Sequence, residues 1–383
     1  MLMKPLMAKL PVVGAVQIAF YSKPDLAWDL TGVAAVAEIG VIESALRGAV
    51  QSVLASMLIL PHRMLVKLDP LVDYYQCCVP PEGVLRLKIE RGYELAPSTR
   101  STASSFINRI ADSEPDPYVI VNISEGQDTS PYFYQTPTIS NTKNPEFQNC
   151  VHDFLIHDRD QQLTVTVYDS DYSWDAVIGT VEVSARELVD GKEMLLELGT
   201  AAAPSIDGTD PVPNVAGLLH VSASWFELTK IPSSGISVTD LQSFESKHSG
   251  SLTCGMIRCT VNRATGLDVE VRSPTVKLQF SKETFETPAV STVEGVSDAQ
   301  NPRWEVEFDT LLMKENTQLG SDSNAVELQV MDQGRPVGSP CVVSLAHLLS
   351  SPSGTVEVHH PLGTGDSFLN ARVEAYSLSQ KES

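Results

Sequence analysis

The chain has 383 residues, 42% of them apolar, 7% aromatic and 20% charged, with 24 prolines and 23 glycines. That is a globular composition rich in turns, long enough for two or three compact units, and it points first to an all-β architecture. A formal charge of -21 argues against nucleic acid as a partner and opposes contact with a bare anionic membrane, because the long-range field repels both.

The first expected element is a strand over residues 12–21, "VVGAVQIAFY", closed by the turn "SKPD", in which Pro24 fixes the backbone. A short strand, "LAWDL", follows. Residues 32–58 are rich in Ala and Leu, hold three charges and repeat apolar residues at i, i+3 and i+4, which predicts a helix broken near Gly40. Pro61 ends it, and "MLVKL" returns to strand character. Lys4 and Lys9 before "LPVVGAVQIAF" give the outline of a secretion signal, but no small-residue cleavage site closes the run and "AVQIAFY" alternates as a strand. No apolar run reaches the roughly 18 residues of a membrane-spanning helix.

After "DPLVDYYQCCVPPEG" the pattern changes to short alternating segments: "GVLRLKIE", "DPYVIVNIS", "QLTVTVY", "IGTVEVS" and, past a Pro/Gly/Asp-rich gap at 203–217, "GLLHVSASWFEL". Strands at this spacing indicate a β-sandwich over residues 83–229. Residues 230–253 are polar and Ser-rich and read as a linker. A further unit over 254–378 repeats the order of events, from "CGMIRCTVNRATGLDV" through "TVKLQF", "QNPRWEVEFD" and "AVELQVMD" to "NARVEAYSL". Its Asn301-Pro302 with Trp304 matches Asn144-Pro145 with Phe147, so two copies of one sandwich account for the chain better than one large fold.

Six cysteines (Cys77, Cys78, Cys150, Cys254, Cys259, Cys341) form no CxxC pair and have no His at zinc-finger spacing; they read as reduced, mostly buried thiols of a cytosolic protein. The eight histidines are scattered, and His359-His360 reads as a strand end.

The order "GVLRLKIE", "DPYVIV", "TKNPEF", "LTVTVYDSD", "VIG" over residues 83–229 resembles the C2 domain, an eight-stranded sandwich whose tip loops often bind calcium and phospholipid. The preceding "VGAVQIAFYSKPDLAWDLTGV", the helix and "LILPHR" resemble the closing part of the SMP domain of extended synaptotagmins, tricalbins and plant synaptotagmins, in which tandem C2 domains follow. The expected fold is therefore mainly β: two C2-type sandwiches preceded by a small α+β fragment, residues 1–70, resembling the C-terminal end of an SMP domain. The resemblance implies tethering at contacts between endoplasmic reticulum and plasma membrane, on the cytosolic face, and lipid transport by the SMP segment, which in that family also dimerises. Only the closing part of the SMP tube is matched, which leaves apolar surface open to water. Either a longer gene product supplies the rest, or the segment docks on a partner or on its own C2 domain.

Calcium takes roughly six to eight oxygens converging from rigidly held loops. In C2 domains a DxD pair plus a later acid come from the loop after "QLTVTVY", and Asp169, Asp171 and Asp175 take those places here. The facing "DPY" element offers Asp116, with Asp112 or Glu114 as the earlier acid. The plain alternative is that these aspartates form turns through their own backbones. Tyr172 and Trp174 in the same loop, and Phe106 and Ile107 in the long loop at 96–115, are candidates for insertion at the headgroup level of a bilayer. Residues 83–199 carry nine Lys/Arg against 19 Asp/Glu, so calcium would bridge this acidic surface to anionic phospholipid. The second sandwich has Ser273 where the first has Asp116 and keeps only Asp332 in the later loop, so calcium is expected in the first copy alone. The competing reading is a calcium-independent scaffold whose C2 folds bind proteins. No GxSxG, Walker or HExxH motif is present and no catalytic residue is assigned, so an enzyme is not expected.

Overall fold

Alternation of apolar and polar residues over short runs builds, among the described residues, twenty strands and four short or medium helices in this computed structural model. It describes residues 1–8, 10–22, 24, 26, 39–96, 114–123, 131–170, 175–191, 193–199, 215–237, 240–241, 253–290, 299–313, 324–363 and 365–379. The expected strand "LAWDL", apart from Leu26, the first turns of the expected helix and much of the linker lie outside the described residues. The chain divides into two units, Met1–Leu71 with Pro80–Phe226, and Val72–Val79 with Glu227–Ser383.

The first unit opens with β1 (Leu2–Met3), β2 (Ala15–Ile18), α1 (Ile39–Leu58) and β3 (Met64–Lys67). The strands form an antiparallel sheet in the order β1-β2-β3, with Val16 opposite Met3 and Val66. α1 stops three residues before Pro61, which has no N–H to continue it. Leu6, Leu10, Val53, Met57 and Val66 in this segment are exposed. The segment is nevertheless anchored to the sandwich that follows. Gln162 donates its N–H to the Tyr21 carbonyl at 3.1 Å, the Gln161 amide donates to the Leu60 carbonyl at 2.9 Å, and the Tyr21 hydroxyl donates to Asp158 at 3.2 Å.

That sandwich has the expected eight strands: β4 (Gly83–Tyr93), β5 (Pro117–Asn122), β6 (Phe133–Gln135), β7 (Val151–Ile156), β8 (Gln162–Asp169), β9 (Ala176–Ser184), β10 (Glu193–Gly199) and the first part of β11 (Val215–Lys230). They run β7-β4-β11-β10 in one layer and β9-β8-β5-β6 in the other, touching through the single pair Gly199–Thr180. A helix, Ala185–Gly191, crosses from β9 to β10. Leu163, Val165 and Val167 of β8 and Val119 and Val121 of β5 are fully buried between the layers, the two-residue period that the sequence displays.

The second unit repeats the plan. β12 (Thr253–Thr265), β13 (Pro274–Phe280), β14 (Glu283–Glu286), β15 (Arg303–Met313), β16 (Ala325–Asp332), a two-residue β17 (Arg335–Pro336), β18 (Cys341–Ser344), β19 (Thr355–Pro361) and β20 (Phe368–Ser379) form layers β15-β12-β20-β19 and β14-β13-β16-β18. The repeat extends to single hydrogen bonds. The side-chain oxygen of Asn144 accepts the N–H of Glu94 at 3.0 Å and that of Asn301 accepts the N–H of Gly266 at 3.1 Å, each donor sitting at positive φ just past the opening strand. Arg86 forks onto Asp153 as Arg258 forks onto Asp309. Thr136 accepts from Val119 as Thr287 accepts from Val276, both at 2.9 Å.

Two stretches behave differently from their compositional reading. In the Ser-rich tract after β11, Ile231 and Leu241 are each 2% exposed and belong to the second core, and Gly235 (φ 71°) lies against the Ser350 carbonyl where a Cβ would sit at 2.8 Å. Two apolar residues suffice to pin a polar tract when a core is within reach. Residues 72–79 form a short helix, Tyr74–Cys77, N-capped by Asp73 and packed in the second unit although they precede the first sandwich. All six cysteines are thiols, five of them buried. His359 bonds Asn370 at 2.8 Å and stacks on Phe368, a strand-end role for the His-His pair.

Candidate metal site

The start of β5, the end of β8 and the start of β9 are adjacent through the register pairs Pro117–Asp169 and Asp169–Ala176. Three of the sequence-selected acids therefore gather at one pole: Asp116 before β5, Asp169 closing β8 and Asp175 preceding β9. Asp169 is 8% exposed, and its Oδ1 accepts the Asp116 N–H at 2.8 Å; the Ser170 N–H returns to the Asp116 carbonyl at 3.0 Å. The Asp116 carboxylate accepts the Asn141 N–H at 2.5 Å, and Asp175 accepts from the Tyr118 hydroxyl at 2.7 Å. That carboxylate and burial together push the Tyr118 phenol upward, burial being the larger cause. The Glu114 carboxylate accepts the Lys143 N–H at 3.1 Å.

Asp112, Asp171, Tyr172, Trp174, Phe106 and Ile107 lie outside the described residues. Among the described residues no three His, Cys, Asp or Glu side chains converge as a metal cluster. A carboxylate offers about four lone-pair sites, so one that accepts a hydrogen bond can still take a cation. The described donors thus fit part of a calcium shell, and completing it requires the loop that carries Asp171.

Asn141 and Tyr118 were not singled out by sequence reasoning. The signal for Asn141 is its own residue type, since it sits at φ 56°, where Asn is favoured, and it also accepts the Glu114 N–H at 3.0 Å. Tyr118 stacks on Tyr168 with ring centroids 5.2 Å apart, a cross-strand pair that steadies the Asp175 contact.

The second sandwich shows what this pole looks like without the other acids. Asp332 Oδ1 accepts the N–H groups of Arg272 at 3.2 Å and Ser273 at 2.7 Å, the same strand-end lock that Asp169 provides. Its loop is a tight hairpin, with Gln333 and Gly334 both at positive φ between the paired Asp332 and Arg335. The first sandwich has six residues, 170–175, in that position.

A groove of about 570 Å³ on the first sandwich is lined by Lys88, Glu90, Arg91, Tyr93, Glu146 and His220 among others. Its cations are matched by carboxylates, Lys88 to Glu90 at 2.9 Å and Arg91 to Glu146, so it is not a bare anion cradle.

Two sandwiches of this strand order, each locked at one pole by an aspartate across facing strands, define a tandem C2 protein. The C2 domain family matches residues 83–198 and 255–357, more than half of the chain, and the chain belongs to that family. Among proteins of that family it is similar to the extended synaptotagmins. Extended synaptotagmin-3 of Xenopus tropicalis is 29% identical over 230 residues, 59% of this chain and 23% of that protein. Extended synaptotagmin-1 of Homo sapiens is 24% identical over 359 residues, 92% of this chain and 29% of that protein. The chain spans less than a third of the length of these relatives. The solved structure of extended synaptotagmin 2 that holds its SMP domain and two C2 domains matches 99% of this chain and 75% of that one, with TM-score 0.57 at 19% identity. The calcium-bound pair of C2 domains from the same protein matches 80% of this chain and all of its own length, with TM-score 0.56 at 18% identity. At that identity the likeness establishes the fold.

Proposed function

We propose that the chain is a membrane tether that binds anionic phospholipid through calcium held at the pole of the first sandwich. The observation that carries this is the abutment of Asp116 and Asp169, joined by a 2.8 Å hydrogen bond, with Asp175 at the same strand ends. In this reading Asp116, Asp169, Asp171 and Asp175 surround the ion, with Asp112 as a further donor. Calcium neutralises their charge and bridges to lipid phosphate, while Trp174, Tyr172, Phe106 and Ile107 enter the headgroup region. In this reading calcium belongs to the first sandwich alone, because the hairpin at Gln333-Gly334 offers only Asp332 where the first sandwich's loop sequence offers Asp169, Asp171 and Asp175.

The chain acts by binding rather than catalysis, at contacts between endoplasmic reticulum and plasma membrane on their cytosolic side. No described helix is long and apolar enough to cross a membrane. Residues 1–70 are the closing part of an SMP tube whose exposed apolar residues face the remainder of that tube, a lipid cargo or a second copy. Sedimentation with phosphatidylserine vesicles tests the central claim: binding in calcium that disappears in chelator and in the Asp169→Asn/Asp171→Asn variant supports it.

A calcium-independent protein scaffold is the second reading, and the Asp332 lock favours it by giving Asp169 a purely structural counterpart. Vesicle binding that is unchanged by chelator and by the double variant would replace the first reading with this one.

A further inference from the structure

β12 is buried on both of its faces from Thr253 to Val261, unlike its counterpart β4, which alternates. Ile257, Cys259 and Val261 point into the second core, so Arg258 and Thr260 point outward, yet each is 1% exposed. In the first sandwich the matching arginine, Arg86, retains 14% side-chain exposure, and Lys88 two residues on retains 46%. The outer face is more fully covered in the second copy than in the first.

An earlier stretch of the same chain supplies the cover. The Tyr74 hydroxyl donates to Glu307 of β15 at 3.3 Å, and its ring is 8% exposed. The Arg372 guanidinium of β20 lies 3.9 Å from the centroid of the Tyr75 ring, and Tyr75 also shares a hydrogen bond with Asn262 of β12. The Cys78 thiol faces Glu307, Arg258 and Glu374, and Cys77 has no exposure at all. One eight-residue stretch thus packs on three adjacent strands of the layer, β15, β12 and β20, with the Glu357 carboxylate of β19 acting on Tyr75 electrostatically. The face carries Glu307, Asp309, Glu357 and Glu374 against Arg258, Arg372 and, beside Glu374, Lys230, a balance without surplus positive charge that suits a neutral aromatic segment better than a phosphate.

We propose that residues 72–79 are a strap belonging to the second sandwich. It is the bound partner of that sandwich's outer face, and the face is closed to membranes and other partners while the strap is seated. The second sandwich is then a discontinuous domain, completed by chain that precedes the first.

Site-resolved thiol labelling of the full chain in native buffer tests this. In the parent protein Cys77 should label as slowly as the core thiols Cys254 and Cys259. Tyr75→Ala and Arg372→Gln, which remove the two sides of the cation–π clasp, should each speed Cys77 labelling about tenfold or more by local opening. If Tyr75→Ala, which alters the strap alone, unmasks Cys254 and Cys259 together with Cys77, the sandwich depends on the strap, which supports the proposal; unmasking of the core by Arg372→Gln but not by Tyr75→Ala would count against it, because Arg372 also pairs with Glu357 inside the sandwich. Cys77 labelling in the parent at the rate of an unfolded peptide, or rates that neither variant changes, would overturn it.

Discussion

Replacing Asp169 by Asn separates its two roles, because the Asn carboxamide oxygen still accepts the Asp116 N–H while the formal charge is gone. In chelator the cost is the difference between a charged and a neutral hydrogen bond, about 1 kcal/mol, partly offset by relief of repulsion among neighbouring carboxylates. With calcium present the parent gains the binding free energy, about 2.7 kcal/mol at a hundredfold excess over Kd. For a unit of this size that corresponds to a rise of roughly 5–11 °C in its unfolding midpoint. Asp332→Asn is the matched control, since it makes the same exchange at the same lock in the second sandwich. Calorimetry of the parent and both variants, in calcium and in chelator, should show the calcium-induced rise in the parent and in Asp332→Asn and its loss in Asp169→Asn. A full rise in Asp169→Asn, or its loss in Asp332→Asn alone, would refute the assignment of calcium to the first pole.

Two further outcomes follow from buried groups. His152 lies between Tyr134 and Phe154, each with ring centroids 4.7 Å from its own, and burial pulls its pKa down to about 4. The unfolded chain, with a His pKa near 6.5, therefore binds more protons between about pH 6.5 and 4. Stability is full above that window and falls on acidification through it, by up to the order of 3 kcal/mol; His152→Phe should flatten the dependence of the urea midpoint on pH. Arg258→Ala strands the buried Asp309 carboxylate, 2.7 Å from the lost guanidinium, and should cost the second sandwich about 3–5 kcal/mol. Arg258→Met combined with Asp309→Leu should recover part of that in denaturant titrations, because Asp309 is then no longer stranded, while Glu307, 3.4 Å from the Arg258 guanidinium and 20% exposed, still loses its partner.

The sandwich strands were legible because each buries one face, so their period shows in runs such as "QLTVTVY". The Asn-Pro repeat was legible as a repeat, and the structure supplies its reason: each asparagine fastens the left-handed residue that ends the opening strand. Of the candidate site, Asp116, Asp169 and Asp175 were legible as acids flanking strands that the register sets side by side. Asn141 was not, because its partnership with Asp116 spans 25 residues and depends on two loops meeting in space. The tract after β11 and the stretch 72–79 were misread or left blank for the same reason on a larger scale. Tyr74 finds its partner Glu307 across 233 residues, and nothing in "VDYYQCCV" itself announces a destination so far along the chain.

That distance sets an order of events during synthesis. At about 5–20 residues per second, on the order of tens of seconds pass between the translation of Tyr74 and that of β20, whose Arg372 lies over Tyr75. Throughout that interval the two tyrosines and the adjacent thiols have no seat, while the intervening sandwich is free to fold as the ribosome proceeds. A nascent chain stalled near residue 230 would therefore display a finished domain beside an orphaned sticky octapeptide, a natural target for holding chaperones until the last strand arrives.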